Sequence, residues 1–561
     1  MNALRIAAIL LAAALSASAA PARVDHATAT FSRFRYEGHQ PANAVPLPPG
    51  RYRNPIIAGS YSDPSILRVG RDYYLTNASM TFWPGLPIFH SRDLVHWRQI
   101  GAALNRPGQM RIAGLDTWLG IYAPALAQRN GVYYLISTCQ GCGGNFILTA
   151  RRPAGPWSDP HWLPFAGIDP SLFVDADGRA WVVNNGPPDG APRWNGHRAI
   201  WLQAIDLQHF TMTGERRVIV DGGADPARRP FWIEGPHLFR QRRGYLLICA
   251  EGGTKEHHHE VAFRASTLAG PWRPAPEPIL SQLDLDPARA FPVVQAGHAD
   301  LVETPAGDWW AVFLASRPWG PAELDYNTGR ETFLLPVAWR RGWPVILPPR
   351  QPVPLTLRAP RLPSAPTGEP HGGDYAFADD FGGTALRAPW SMLGSPVERW
   401  WRTGAGSLRL TARAMPLGGA GQPSFLGVRQ QHMYAQATVR VTVPGGSTMR
   451  AGLTAYQGTR RFFALSVTAL TGGRREVRLE RMTGAADPAD GTLVATVPLA
   501  ASGPVDLRVV ADGPRYTFSY AVPGGSWRAV GDVQDGSILS TSSASGFTGV
   551  MLGLFAYRSA D

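Results

Sequence analysis

Hydrophobic and polar positions follow a five-fold repeating pattern between residues 51 and 347. Each repeat opens with a small or polar residue, usually before a proline, and continues with an apolar run, a turn and a second run containing aromatic residues. Short apolar runs bounded by turn residues predict paired strands. The repeats start 46 to 66 residues apart, at Asp63, Ala123, Asp169, Gly235 and His298. This spacing leaves room for four strands in each repeat, which predicts a five-bladed β-propeller over residues 51–347.

The pattern changes near residue 375, where apolar and polar residues alternate, as in 407–412 and 437–443. Alternation with turn residues between the runs is typical of antiparallel sheets that have one wet face. We therefore predict a β-sandwich over residues 375–561 and an all-β fold for the whole chain. Residues 348–374 are rich in proline and are interpreted as a linker. Residues 20–50 show no clear periodicity and are interpreted as an N-terminal leader or linker.

The first 19 residues have the pattern of a signal peptide. Arg5 provides a positive charge, residues 6–15 are apolar, and Ala17-Ser18-Ala19 matches a cleavage site. We expect an exported protein, periplasmic or extracellular. No other apolar stretch reaches the length of a membrane span, so we predict none.

The charge of the chain bears on which partners it can bind. The net charge is +12, but the arginines are scattered rather than clustered, so we expect no nucleic-acid partner.

Cys139 and Cys142 could close a disulfide or remain two thiols in a glycine-rich loop, and the sequence leaves both open. Cys249 lies in an apolar run and is expected in the core. A zinc site would need a second ligand pair, which the sequence lacks.

Acidic residues recur at the start of the repeats, where the inner strands of a propeller converge on one mouth. Asp63, Asp169 and His298 fall at this point, and Glu234 stands just before Gly235. An aspartate before proline is also a common turn residue, so each aspartate alone is ambiguous. Their shared position in the repeat favours a functional site. One ionised and one protonated carboxyl form the minimal machinery for glycoside hydrolysis, and a third can raise the pKa of the acid.

Aromatic residues near the same mouth are candidates for stacking on sugar rings. They could equally be core residues, and they are Phe82, Trp83, Trp118 and Tyr122.

Longer motifs resemble a known family. They include Asn54-Pro-Ile-Ile-Ala-Gly-Ser-Tyr-Ser-Asp-Pro-Ser-Ile, Glu234-Gly-Pro-His-Leu-Phe, Gly297-His-Ala-Asp-Leu-Val and Gly329-Arg-Glu-Thr-Phe-Leu-Leu-Pro-Val. Together they resemble glycoside hydrolase family 43, in its β-xylosidase and α-L-arabinofuranosidase branch. The tail from residue 378 resembles the concanavalin A-like sandwich that follows the propeller in that branch.

The resemblance implies an inverting hydrolysis that needs no cofactor and no catalytic metal, while a structural calcium ion is compatible with it. Asp63 matches the general base, Glu234 the general acid, and Asp169 the carboxylate that tunes and orients the acid. His298 and Arg330 match residues that bind substrate or support the pocket, and His258 matches the histidine of the Glu-Gly-Gly-Thr segment. Phe82 and Tyr122 are added as substrate-binding candidates.

The function that follows is an exo-acting β-1,4-xylosidase on xylo-oligosaccharides. An α-L-arabinofuranosidase acting on arabino-oligosaccharides and a non-catalytic carbohydrate-binding propeller are the alternatives. A sucrose- or fructan-cleaving propeller would carry Asp-Pro-Asn and Arg-Asp-Pro motifs, whereas this chain has Asp63-Pro-Ser and Arg228-Arg229-Pro230. The triplet His257–His259 departs from the family pattern and bears on the choice of substrate rather than on the mechanism. The sequence does not indicate an oligomeric state.

Overall fold

The computed structural model describes residues 27–322, 324–368, 371–445, 448–500 and 502–559. The predicted signal peptide lies outside these ranges. Strands dominate the described chain, and its helical segments are all short. They are the 3-10 turns Pro41–Asn43, Pro226–Arg228, Thr471–Gly473 and Gly536–Leu539, and the α-helix Thr541–Ala544. No helix in these ranges has the length and apolar character needed to cross a membrane.

Five consecutive antiparallel sheets form the blades of a propeller. The first blade contains Ser65–Val69, Asp72–Thr76, Gly85–Ser91 and Arg98–Leu104. The second contains Ala125–Arg129, Val132–Gln140, Gly144–Ala150 and His161–Trp162, with Gly120–Ile121 added beside its second strand. The third contains Ile168–Val174, Ala180–Gly186, Ala199–Asp206 and Thr211–Asp221. The fourth contains Ile233–Gln241, Gly244–Glu251, His259–Ala265 and Arg273–Pro274. The fifth contains Val294–Glu303, Trp309–Ser316, Glu331–Arg340 and Trp343–Val345.

The first strand of each blade, its inner strand, lies against the inner strands of its two neighbours, and the fifth blade returns to the first. Polar side chains join the blades near the axis. Asp300 of the fifth blade accepts hydrogen bonds from the Ser65 hydroxyl and the Ile66 amide of the first, both at 2.9 Å. The Ser65 hydroxyl accepts the Leu126 amide of the second blade at 3.0 Å. The inner strands therefore surround one axis, as the five-fold repeat predicts.

A sandwich of two antiparallel sheets follows the propeller. One sheet contains Trp401–Gly404, Ser407–Thr411, Thr28–His39, Tyr434–Thr442, Val505–Asp512, Arg515–Ala521 and Arg528–Ala529 in spatial order, with Tyr375–Asp379 and Gln534–Asp535 at its margins. The other contains Ser424–Arg429, Met551–Arg558, Met449–Gly458, Arg461–Ala469, Arg475–Met482 and Thr492–Leu499. Alternate residues of these strands point into a shared core.

The interpretation of residues 20–50 as a leader or linker is wrong for residues 28–39. Thr28–His39 is a strand inside the first sandwich sheet, between Ser407–Thr411 and Tyr434–Thr442. Its buried residues are Ala29 and Phe31, then Phe34 and Tyr36. A bulge between Ser32 and Arg35 shifts the inward positions by one, because an extra residue in one strand breaks the two-residue period. That shift concealed the strand in the sequence.

The sandwich and the propeller are also joined by a short ladder. Phe82–Trp83 of the propeller pairs with Met392–Leu393 of the sandwich. Thr356–Arg358, within the proline-rich segment, pairs with Arg51–Arg53. This segment is therefore in part structured rather than a free linker.

Candidate active site

A cavity of about 540 Å³ opens where the inner strands of the propeller begin. Every blade contributes at least one polar or aromatic side chain to its lining. These are Asp63 from the first blade, Tyr122 from the second, Asp169 and Arg198 from the third, Trp232 and Glu234 from the fourth, and His298 and Arg330 from the fifth.

The backbone has the same local conformation at four of these entrances. Asp63, Asp169 and His298 have φ of 52°, 53° and 53°, and Gly235 has φ of 55°. Aspartate and histidine are among the non-glycine residues that adopt this left-handed region most readily, although it carries some strain. Bulges at the same point of the third, fourth and fifth blades accompany it. The repeated kink, rather than chance, brings these side chains over the axis.

Asp63 is buried beside a cation. Its Oδ2 accepts a hydrogen bond from the Ser62 hydroxyl at 2.8 Å and from Arg330 Nη2 at 3.4 Å. Its Oδ1 lies 3.4 Å from His298 Nδ1. Burial acts to raise the pKa of Asp63, but Arg330, His298 and Ser62 together hold it below the ordinary value. Asp63 is therefore ionised near neutral pH and can accept a proton from water.

Glu234 and Asp169 are buried on adjacent blades and interact electrostatically. Burial and the negative charge of Asp63 raise the pKa of Glu234 to about 7, against the opposing effects of Trp232, Arg330 and Arg198. Burial and the neighbouring charges of Glu234 and Asp63 also raise the pKa of Asp169, although the Gly235 amide donates to its Oδ2 at 3.3 Å. Two buried carboxyls so close retain a proton that either would release in water.

His298 packs against Gly235, and His258 packs against Gly297. A side chain on Gly235 would place its Cβ only 2.6 Å from the His298 ring, and one on Gly297 would lie 2.6 Å from His258. Burial lowers the pKa of His298 to about 4 and that of His258 to about 3, so both are neutral near pH 7. Near pH 7 Arg330 is therefore the cation beside Asp63, and the Ser62 hydroxyl adds a hydrogen bond to the same carboxylate.

The structure brings together six of the eight candidate site residues. Asp63, Asp169, Glu234, His298, Arg330 and Tyr122 line the cavity. His258 lies beneath Gly297, bonded through Nδ1 to the Gln295 carbonyl at 2.8 Å, and supports the wall instead of lining it.

The assignment of Phe82 to substrate binding is wrong. Phe82 is buried in an apolar cluster with Leu393, Phe425 and Tyr456 of the sandwich. It forms part of the short ladder between the two domains, where apolar surface is removed from water on both sides. Trp83 is likewise a core residue, whereas Trp118 lies at the cavity rim.

Several lining residues were missed from the sequence, among them Phe231, Trp232, Arg198, Gln140 and Phe547. Trp232 could have been found, because it stands two positions before Glu234. Phe547 gave no signal, because it comes from the sandwich. Its ring lies 5.0 Å from the Arg330 guanidinium and packs edge-on against Tyr122 at 6.0 Å.

Cys139 and Cys142 are paired as a disulfide next to Gln140 at the cavity rim, which is one of the two states left open by the sequence. Cys249 is a buried free thiol, as expected of a core residue. Among the described residues, no group of three or more His, Cys, Asp or Glu side chains is arranged to hold a metal ion.

An ionised carboxylate, a protonated carboxyl and an adjoining third carboxyl in one cavity can perform acid–base hydrolysis of a glycosidic bond. Residues 52–344 match the sequence model of glycosyl hydrolases family 43. The chain belongs to glycoside hydrolase family 43. It is therefore an O-glycosyl hydrolase, and enzymes of family 43 invert the configuration at the anomeric carbon. Residues 378–561 match the β-xylosidase C-terminal concanavalin A-like domain.

Relatives of this family 43 chain match it over nearly its whole length. A xylosidase/arabinosidase of Butyrivibrio fibrisolvens is 34% identical over 90% of this chain and 95% of its own. A non-reducing end α-L-arabinofuranosidase of Bacteroides ovatus is 35% identical over 91% of this chain and 92% of its own. The crystal structure of a GH43_12 retrieved from the capybara gut metagenome superimposes with a TM-score of 0.88 at 36% identity, covering 94% of this chain and 99% of that one. The capybara gut structure therefore shares the fold of the propeller and the sandwich.

Proposed function

We propose that this family 43 hydrolase is an exo-acting β-1,4-xylosidase that releases single xylose units from xylo-oligosaccharides. The observation that carries the proposal is the meeting of Asp63, Asp169 and Glu234 in one sugar-sized cavity. The pKa of Asp63 is lowered and that of Glu234 is raised, so one carboxyl is ionised and the other protonated at the same pH.

In the proposed reaction Asp63 is the general base and Glu234 the general acid. Asp63 takes a proton from water as the water oxygen bonds to the anomeric carbon. The bond from that carbon to the leaving oxygen breaks, and Glu234 gives its proton to the leaving oxygen. Inversion in one step requires room for the water, which corresponds to roughly 6.5–9.5 Å between the two carboxyl groups.

Asp169 is proposed to maintain the protonated state of Glu234. Its carboxyl is buried beside that of Glu234, and the negative charge of either disfavours ionisation of the other. The Gly235 amide, which donates to Asp169 at 3.3 Å, ties this carboxyl to the residue that follows the acid. The aspartate therefore tunes and orients the acid without itself transferring a proton.

A ring from the sandwich at the cavity favours action at chain ends. Phe547 of the sandwich covers Arg330 and Tyr122, and Trp118 and Phe231 stand at the rim. Aromatic faces of this kind can stack on sugar rings. The second candidate activity, removal of terminal α-L-arabinofuranose, is supported by the name of the Bacteroides ovatus relative.

A panel of aryl pentosides and xylo-oligosaccharides tests the proposal. We expect release of xylose from the non-reducing end, with the α-anomer appearing first by proton NMR because the β-linkage is inverted. Faster release of arabinose from α-L-arabinofuranosides would transfer the assignment to the second candidate. No turnover of any member would contradict both candidate activities.

Substitutions test the individual roles. Glu234→Ala is expected to lower kcat about 100- to 10,000-fold for sugar leaving groups but much less for an activated aryl leaving group, which needs no protonation. Asp63→Asn is expected to abolish turnover of both. Asp175→Asn is the matched control, because Asp175 is a buried aspartate just beyond the inner strand of the third blade, bonded to Arg240 and Tyr245. Equal losses for both leaving groups in Glu234→Ala would contradict the acid role.

Export is proposed as well. The signal-peptide pattern of residues 1–19 supports it, and so does the Cys139–Cys142 disulfide, because disulfides persist mainly in oxidising compartments. Cell fractionation with N-terminal sequencing tests this. A mature chain that retains residues 1–19 in the cytoplasm would contradict it.

A further inference from the structure

The two carboxyl oxygens of Glu234 have different surroundings. Oε2 accepts a hydrogen bond from the indole N–H of Trp232 at 2.6 Å. Oε1 is buried and has no hydrogen-bond partner in the described part of the chain. A buried carboxyl oxygen without a partner is costly unless it carries a proton or awaits a ligand.

Trp232 is held firmly in this position. Its backbone N–H donates to the Gly196 carbonyl at 2.9 Å, and its own carbonyl accepts the Gly252 amide at 3.1 Å. Its φ is 60°, an uncommon conformation for a bulky residue. Strained residues of this kind persist when their surroundings determine them, and they cluster at functional sites.

The other side of the indole faces an arginine. The Arg198 guanidinium carbon lies 4.6 Å from the centre of the Trp232 ring. Arg198 is fixed in turn by Asn185, whose Oδ1 accepts from Nη2 at 2.6 Å and from Nε at 3.2 Å. The Asn185 amide donates to the carbonyl of Ile233, the residue between Trp232 and the acid. The third blade thus supports the acid of the fourth through one continuous set of contacts.

We propose that Trp232 and Arg198 are positioning residues that decide which oxygen of Glu234 delivers the proton. Trp232 occupies Oε2, so the transferable proton lies on Oε1, the oxygen left free for the leaving group. When this proton moves to the leaving oxygen, Glu234 becomes a carboxylate that Trp232 still bonds and Arg198 faces with a positive charge. The inference deepens the proposed function and rests on the acid role given there to Glu234.

The groups facing Glu234 set the direction of the expected effect. Burial and the charge of Asp63 oppose its ionisation, while Arg330, Arg198 and the Trp232 hydrogen bond favour it. The pKa of Asp169 is itself raised by burial and by Glu234, and the Tyr122 hydroxyl is neutral near pH 7. A hydrogen bond to the charged form lowers the pKa of an acid. Loss of the indole N–H is therefore expected to raise the pKa of Glu234 and to weaken it as a proton donor.

Trp232→Phe tests the inference, since it keeps an aromatic ring and removes the N–H. We expect the alkaline limb of the kcat/KM profile to move to higher pH. We expect kcat for sugar leaving groups to fall about 10- to 100-fold, the range for one hydrogen bond to a charged group. Activated aryl pentosides and KM should change little. Arg198→Met should also move the alkaline limb to higher pH, and Arg198→Lys should move it less because the positive charge is kept. These two variants test the inference if Trp232→Phe does not fold.

Trp201→Phe is the matched control. Trp201 also lies on the third blade, donates through its indole to the Pro187 carbonyl at 2.7 Å and packs under Arg216 at 4.4 Å, but it does not line the cavity. It should leave the profile unchanged. A Trp232→Phe enzyme with an unshifted limb, or with equal losses for both kinds of leaving group, would overturn the inference.

A second measurement separates this inference from the proposed function. Carbon-13 NMR of glutamate carboxyls follows the titration of Glu234 directly, with Glu234→Gln to assign the signal. A raised pKa in Trp232→Phe supports the hydrogen bond even if no pentoside is cleaved, in which case only the proposed function fails. An unchanged pKa in an enzyme that does cleave pentosides overturns the positioning role alone.

Discussion

At the scale of single residues, the cavity depends on keeping neighbouring carboxyls in opposite protonation states. Arg330 lies 3.4 Å from Asp63 and stabilises its negative charge. Glu234 is enclosed and faces that same negative charge, which disfavours a second one. A cation beside one carboxyl of a pair is enough to give the two carboxyls different pKa values, so that one acts as a base and the other as an acid.

The pH dependence of kcat/KM should follow from this arrangement. Activity requires that Glu234 is protonated. The value of kcat/KM should therefore fall as pH rises through about 7, where this single group loses its proton. Activity also requires that Asp63 is ionised, so the acidic limb should lie below the ordinary range for aspartate. A pH–rate series on a xylobioside checks both limbs. An alkaline limb near pH 9 would contradict the assignment of Glu234.

Glu234→Gln should make the protein more stable at pH 8 while impairing turnover. The folded protein holds a proton on this carboxyl that the unfolded chain releases near pH 4.5, so this source of stability is lost as pH rises from there to about 7. Glutamine removes the buried charge and should add on the order of 1–3 kcal/mol at pH 8, with little effect at pH 4. Denaturant unfolding at both pH values measures this. An equal change at the two pH values would contradict the linkage.

The catalytic candidates could be predicted from the sequence because a repeat places them at equivalent positions. Asp63, Asp169 and His298 share one backbone conformation, and sequence register alone reveals that equivalence. Arg198 and Phe547 could not be predicted, because Arg198 lies just before the third strand of its blade and Phe547 belongs to another domain. No periodic pattern links them to the cavity.

At the scale of elements, the strand Thr28–His39 stabilises the sandwich from a distant part of the sequence. Its residues Phe31, Phe34 and Tyr36 are buried in the sandwich core. The Tyr36 hydroxyl accepts the Gln431 amide at 3.0 Å and lies 2.8 Å from His432 Nδ1. Both contacts cross from the N-terminal strand to the segment that leads into Tyr434–Thr442.

Phe34→Ala should therefore lower the free energy of unfolding by about 3–5 kcal/mol, the usual range for a fully buried phenylalanine. Val45→Ala is the control, because Val45 belongs to the same N-terminal segment and is 71% exposed. It should change stability by less than about 0.5 kcal/mol. Denaturant titration followed by tryptophan fluorescence compares them. Similar small effects in both would mean that the strand contributes little to the core.

At the scale of the whole molecule, the sandwich completes the active site of the propeller. Arg429 donates to the Ser60 carbonyl at 2.8 Å, and Gln431 donates to the Ala58 carbonyl at 2.8 Å, both just before Asp63. Val550 donates to the Asn327 carbonyl at 2.8 Å, just before Arg330. The sandwich thus holds both segments that deliver the base and its cation.

Phe547→Ala should raise KM about 10-fold with a smaller effect on kcat, because it removes a ring that covers Arg330 and Tyr122 at the cavity. Trp527→Ala is the control, since Trp527 is also a sandwich aromatic, 4.3 Å from the Arg508 guanidinium and outside the cavity lining. Steady-state kinetics on xylobiose distinguishes them. An unchanged KM in Phe547→Ala would contradict a contribution of the sandwich to substrate binding.

The propeller and sandwich could both be predicted from periodicity, but their docking could not. A repeat reports which residues face inward within one sheet, and Phe82 faces inward in a core that both domains share. Sequence patterns do not distinguish a wall of the cavity from such a shared core. The error at Phe82 follows from that ambiguity.

The position of Thr28–His39 in the central part of a sandwich sheet has a consequence for folding kinetics. Its partners Ser407–Thr411 and Tyr434–Thr442 stand more than 360 residues later, with the entire propeller in the intervening loop. Closing so long a loop is entropically expensive while the chain is extended and becomes easier once the intervening segment is compact. Refolding should therefore show early compaction of the propeller and a slow final phase in which this strand is inserted, and a chain interrupted before that phase would expose an unpaired apolar edge prone to association with other copies.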